Sequence, residues 1–195
     1  MANLCFVNYI VEGEQDTVNT ICAALEKNKD KLPELWLGTV LKDCGINVKE
    51  FHCEYVEKYK KKSDTVLSIE TYAEWNRSKF TDVLEEHFKN VAVYYDISAT
   101  EYGSDVCETN DETGKYFKRY RCMSSGFEDG DEDPYDIGLK DFKTEKSLFV
   151  YLKKKTKTVA TMEDVKKYNS TDSNEDKIII IDKFTGKVLS QEEKK

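Results

Sequence analysis

Histidine is scarce in this sequence: His52 and His87 are the only two in 195 residues. His52 adjoins Cys53, and neighbouring side chains on a strand point to opposite faces, so the two cannot chelate one metal ion. His87 lies beside the apolar stripe of a helical segment, the usual setting of a structural histidine. Nucleophilic catalysis needs a nucleophile beside a base held by a third group. Neither a nucleophile elbow nor a phosphate-binding glycine loop is present. The six cysteines, Cys5, Cys22, Cys44, Cys53, Cys107 and Cys122, include no C-x-x-C pair. That removes the zinc-knuckle and thioredoxin motifs, and unclustered thiols argue against an iron–sulfur centre. Acidic residues outnumber basic ones 38 to 30, giving a net charge of −8, so the broad basic footprint of a nucleic-acid binder is missing and anionic membranes are repelled. No apolar run is long enough to cross a bilayer. The opening MANLCFVNYIVEGEQD reaches Glu12 too soon for a secretion signal. The expectation is a cytoplasmic, monomeric, non-enzymatic protein with reduced cysteines, no cofactor and no metal.

Apolar periodicity is plentiful by contrast. Leu4 to Val11 reads as a buried strand ending at Glu12-Gly13. Val18, Ile21, Cys22 and Leu25 form the stripe of a helix capped by Asp16 or Thr17. Leu37, Val40, Leu41 and Cys44 repeat that spacing, with Pro33 near the start and Gly45 as the stop. Alternation then sets Phe51, Cys53, Tyr55 and Tyr59 against Glu50, His52, Glu54 and Lys58, a strand with one wet face. After a turn at Lys60–Asp64, Thr65 to Tyr72 is a strand pointing Leu67 and Ile69 inward. A third helix spans about Asn76 to Asn90 on Phe80, Val83, Leu84 and Phe88, and Val91 to Ile97 is the next strand.

This order predicts an α+β chain: a ferredoxin-like split β-α-β sandwich, β-α-β-β-α-β with an extra helix in its first crossover, over residues 1–123. Residues 124–141 read as an acidic loop or linker, and residues 142–195 as a small β-rich α/β extension docked on the main domain. In that extension Leu148 to Leu152 is extended, Met162 to Tyr168 is a short helix, and Ile178 to Ile181 must find cover. DKFTGKV reads as a tight hairpin.

Two stretches invite a functional reading. Glu128, Asp129, Asp131, Glu132, Asp133 and Asp136 attract a hard cation in principle, but a calcium loop counted from Asp129 has Pro134 where glycine belongs and Lys140 where the last carboxylate belongs. The segment ETNDETGKYFKRY, residues 108–120, reads as a hairpin: Asn110 to Gly114 turns the chain, Gly114 takes a positive φ, and Asp111 bonds the local backbone. Its basic-aromatic half partly resembles the RNA-reading strand of the RNA-recognition motif, without the second glycine and the valine. Alternation there places Tyr116, Lys118, Tyr120 and Cys122 on one face and Lys115, Phe117, Arg119 and Arg121 on the other. Tyr116, Lys118, Arg119, Tyr120 and Arg121 are therefore the candidate nucleic-acid face.

Four segments, MANLCFVNYIVEGE, LWLGTVLKDCGIN (35–47), IETYAEW (69–75) and EYGSDVCETNDETGKYF (101–117), together resemble the YubB-like ferredoxin-like domain proteins of plasmids, phages and mobile elements. The first resembles that family's Met-Ala-Asn-Trp-Cys opening, with Leu4 in place of tryptophan. The second resembles its Trp-Leu-Gly-Asn helix, the third its Thr-Glu-Thr-x-Trp motif. The last resembles Glu-x-Gly followed by Thr-Asn-Asp-x-x-Gly-x-Tyr-Phe. The likeness spans about the first 122 residues. It implies the same split β-α-β fold and carries no activity, cofactor or catalytic residue. If strand ends converge, Glu70, Trp75, Glu101, Asp105, Asn110, Asp111 and Tyr116 border one groove suited to a peptide or cationic partner. A protein partner is the leading expectation, nucleic acid the alternative, and an enzyme acting near Glu70 and Trp75 the third.

Overall fold

A computed structural model describes residues 4–48, 54–74, 79–101, 104–124, 140–171 and 178–184. They form a mixed α+β structure with two antiparallel sheets. The chain forms two compact units, the first running to Asn110 and the second starting at Asp111.

In the first unit the elements are β1 (Leu4–Glu12), α1 (Gln15–Lys27), a 3-10 turn at Lys29–Lys31, β2 (Leu35–Trp36), α2 (Leu37–Asp43), β3 (Glu54–Ser63), β4 (Val66–Glu74), α3 (Phe80–His87), β5 (Ala92–Glu101) and β6 (Ser104–Thr109). The sheet order is β2-β3-β4-β1-β5-β6, antiparallel throughout. Cys5, Val7, Tyr9 and Val11 line one face of β1 and are buried with Val18, Ile21 and Leu25 of α1, Val40 and Leu41 of α2, and Phe80 and Leu84 of α3. Of the predicted stripes, Cys22, Cys44, Val83 and Phe88 are partly buried against this core and the others are buried in it. Asp16 and Thr17 lie inside α1; Glu14 holds the cap position without a side-chain cap bond. Pro33 precedes β2 rather than a helix, because Leu35 and Trp36 are drawn onto the sheet edge against Val56 and Tyr55. At Gly45, φ is +83°, and the Ile46 amide reaches back to the Leu41 carbonyl (3.0 Å), closing α2.

One expected face is wrong. The β3–β4 register slips between Val56 and Lys58, a bulge that inserts one residue and reverses the alternation beyond it. Tyr55 pairs with Tyr72 on the face away from the helices, whereas Tyr59 pairs with Ile69 and packs on the core. Glu54 is therefore not on a wet face. It is fully buried, takes a hydrogen bond from the Tyr9 hydroxyl (3.3 Å), and is bonded by the Thr71 hydroxyl, which also reaches the Val7 carbonyl at 3.3 Å. Phe51, His52 and Cys53 lie outside the described residues.

The second unit contains β7 (Tyr120–Ser124), β8 (Lys140–Phe142), α4 (Glu145–Thr156), α5 (Met162–Asn169) and β9 (Ile179–Lys183), with sheet order β8-β7-β9. Its own core comprises Cys122, Phe142, Leu148, Leu152, Val159, Val165 and Ile179. Leu148 to Leu152, read as extended, is the middle of α4. Thr144 and Ser147 form a capping box at its start (Ser147 amide to Thr144 Oγ1, 3.2 Å), and Leu148 and Leu152 meet on one helical face. The isoleucine run splits by strand alternation: Ile179 is buried while Ile180 is exposed. Asn169 holds Ile179 by both backbone groups, donating to its carbonyl (2.8 Å) and accepting from its amide (2.9 Å). The acidic stretch around Glu128–Asp136 and most of DKFTGKV lie outside the described residues.

Thr71→Val removes a hydroxyl that satisfies buried Glu54 and is expected to lower stability by about 1–3 kcal/mol. The Thr81 hydroxyl is buried with no partner among the described residues, so Thr81→Val is expected to be neutral or stabilising. Urea unfolding of the two variants checks the contrast.

Candidate functional site

The structure distributes the residues of the expected groove over two units. Glu70 lies within β4, opposite Asn8 on one side and Lys58 on the other, and pairs with the Lys58 ammonium at 2.7 Å. Asn8 in turn faces Asp96 of β5. Glu101 stands five residues further along β5 than Asp96, about 17 Å at the rise of an extended chain. Asp105 pairs with Thr100, and Trp75 lies outside the described residues. In the row beside Glu70, Tyr55, Tyr72 and Phe6 are neighbours across β3, β4 and β1; the two tyrosine rings stack at 5.5 Å and Phe6 is half exposed.

Asn110 closes the end of β5. Its side-chain amide accepts from the Tyr95 amide (2.7 Å) and donates to the Val93 carbonyl (2.8 Å), standing in for a strand residue. Asp111 and Tyr116 belong to the second unit. The Asp111 carboxylate is 0% exposed and accepts from the amides of Lys115 (3.0 Å), Tyr116 (2.6 Å) and Phe117 (2.9 Å) and from the Thr113 hydroxyl (3.0 Å). Burial pushes its pKa up, but the amides of Phe117, Tyr116 and Lys115 and the Thr113 hydroxyl outweigh this and hold it below the usual aspartate value. Gly114 takes φ +69°, as its place in the turn predicts, and a Cβ there would meet the Lys143 carbonyl oxygen at 2.2 Å.

The hairpin reading of residues 108–120 is therefore corrected. The turn chemistry is present, but β6 and β7 belong to different sheets, and residues 115–119 are a loop wrapped on Asp111, not a strand. The candidate nucleic-acid face is dispersed accordingly. Tyr120 packs on the second unit's core. Arg121 grips Asp141 with two nitrogens (2.9 and 3.4 Å) and stands 5.5 Å from the Phe184 ring. Arg119 lies over Tyr120 (5.6 Å), and its backbone joins Phe142 and Phe184. Tyr116 carries Lys115 over its ring at 5.1 Å, and Lys118 is exposed.

Thiol chemistry is disfavoured at Cys5, Cys44 and Cys122, which are free. Burial pushes Cys5 and Cys44 up to about 11 and Cys122 to about 12, and a thiol held protonated is a poor nucleophile. Among the described residues no three His, Cys, Asp or Glu side chains gather to hold a metal ion.

Sequence reasoning missed a trough of about 530 Å³ in the second unit, between one side of α4 and the start of α5. Lys146, Phe149, Val150 and Lys153 form one wall; Ala160, Thr161 and Met162 form the other, with Glu145 at one end. Val150 is 64% and Met162 46% exposed. The Thr144-x-x-Ser147 cap was the signal available: once α4 is helical, Val150 falls off the Leu148–Leu152 stripe and must face outward.

Asp111→Asn exchanges an ionised acceptor for a neutral one and is expected to cost about 1.5–3 kcal/mol. Because the folded carboxyl titrates below its unfolded value, its stabilisation is complete above the ordinary aspartate pKa and is lost as pH falls through the depressed one. The wild type should thus lose stability in acid more steeply than Asp111→Asn, as read by hydrogen exchange in the second unit. Gly114→Ala adds left-handed strain to a backbone clash, roughly 2–5 kcal/mol together, and the same measurement tests it.

Compared with known proteins, the chain matches no family model, no curated protein and no solved structure.

Proposed function

We propose that the chain is a cytoplasmic, non-enzymatic protein-interaction module and that the α4–α5 trough is its docking site. The observation that carries this is the joint exposure of Val150 and Met162 across one trough. Single exposed apolar side chains are ordinary, whereas a shared apolar surface rimmed by polar residues marks an interaction site. Lys146 and Lys153 on its rim have no carboxylate or hydrogen-bond partner for their ammonium groups among the described residues. The alternatives draw less support: Arg121 is already neutralised by Asp141, and Glu70 by Lys58.

The first unit is read as ferredoxin-like. Its support is the β-α-β-β-α-β succession of β1, β3, β4 and β5 with their helices, and the order β3-β4-β1-β5 within the sheet, to which β2 and β6 add edges. Kinship with the YubB-like proteins of mobile elements rests on the four sequence motifs. The closest of them, Thr109-Asn110-Asp111 with Gly114, consists of residues with local structural duties, so it reads as a fold signature and not as an active site.

A photo-crosslinking residue placed at Val150 should give one discrete protein adduct in the native host, lost in a Met162→Glu background. The same group at Lys167, exposed on α5 but about 140° round that helix from Met162 and outside the trough lining, should give none. Equal labelling from both positions, or none from either, would remove the trough as the docking site.

A further inference from the structure

Resting on that reading of the trough, we infer that its partner is an acidic amphipathic helix. Lys146 and Lys153 are seven residues apart on α4, two turns, so they share one side of the helix about 10.5 Å apart. Phe149 and Val150 lie between them on the same wall, and Met162 faces them. A helix laid alongside α4 has the same repeat. Apolar residues at i, i+3, i+4 and i+7 fill the strip between Val150 and Met162, and two carboxylates seven residues apart then oppose the two lysines. Methionine suits such a wall because its unbranched thioether adapts to varied apolar shapes. The lysines are exposed, so they contribute more to orientation and encounter than to raw affinity. Glu145, next to Lys146 at the start of α4, disfavours a further carboxylate beyond the one that meets Lys146 and so marks one end of the partner. Shape argues for a helix over a small ligand: the walls expose rather than enclose their apolar groups.

The test uses the full chain, isotopically labelled, titrated with synthetic peptides and followed by NMR. The first peptide is a sixteen-residue helix with leucine at the four anchor positions and glutamate flanking them (its length about one turn beyond the lysine span at each end). The second has lysine for each glutamate, and the third breaks the helix with proline. The acidic helix should shift the signals of Lys146, Val150, Lys153 and Met162, and bind more weakly as salt rises. Lys146→Glu with Lys153→Glu should weaken it roughly ten-fold or more, since two attractions become two repulsions, and should favour the lysine peptide instead. Both lysines are exposed and unpaired among the described residues, so the spectrum elsewhere should be unchanged. Equal affinity for the acidic and basic helices would overturn the acidic partner while leaving the trough as a docking site. Undisturbed trough signals with every peptide, in a folded spectrum, would overturn both.

Discussion

Asp111 gathers three successive backbone amides and a hydroxyl onto one buried carboxylate, and the path of the chain into the second unit follows from it. Once Lys115, Tyr116 and Phe117 point their N–H groups inward, those residues cannot join a ladder. Gly114 must take a left-handed turn hard against the Lys143 carbonyl, and Arg119 emerges in place to join Phe142 and Phe184 through its backbone. Rings of amides of this kind attract anions; here the protein supplies the anion itself. The basic residues that follow are dealt to separate tasks, and this is why a segment so suggestive of phosphate binding holds no phosphate-shaped cluster.

The first unit is organised around a different buried acid. Glu54 enters the core because the bulge after Val56 lets the N-terminal part of β3 present one phase and its lysine-rich end another. Tyr9 and Thr71 supply its hydrogen bonds, which a buried carboxyl group requires. The same bulge turns Lys58 toward Glu70 and Tyr59 toward Glu26 of α1, where the Tyr59 hydroxyl donates at 2.7 Å.

Much of this was legible in the residues. The stripes Val18-Ile21-Leu25 and Phe80-Leu84, the stop at Gly45 and the positive φ of Gly114 all follow from local chemistry, and local chemistry is what a single sequence records. The bulge was not legible, because nothing in Glu54–Lys58 marks an extra residue until β4 fixes the register. α4 was misread because Leu148-Phe149-Val150-Tyr151-Leu152 is rich in β-formers, and the cap and the Leu148–Leu152 packing override that preference. The hairpin was misread because its turn is real while its partner strand is elsewhere. The trough needed two elements in place at once, so no one segment announces it, and the groove expected around Glu70 depended on a convergence of strand ends that only register decides.

The two asparagines share a device whose consequence reaches beyond local closure. Asn110 occupies the Val93 carbonyl and the Tyr95 amide past the last β5–β6 pair, and Asn169 occupies both backbone groups of Ile179 on β9, an edge strand of its sheet. Unpaired backbone groups on an edge are templates for another chain, and a run of isoleucines beside them is the composition that aggregates most readily. By filling those groups with a side-chain amide, the molecule shields the start of its most sticky strand from intermolecular pairing without spending a charge or a proline on it.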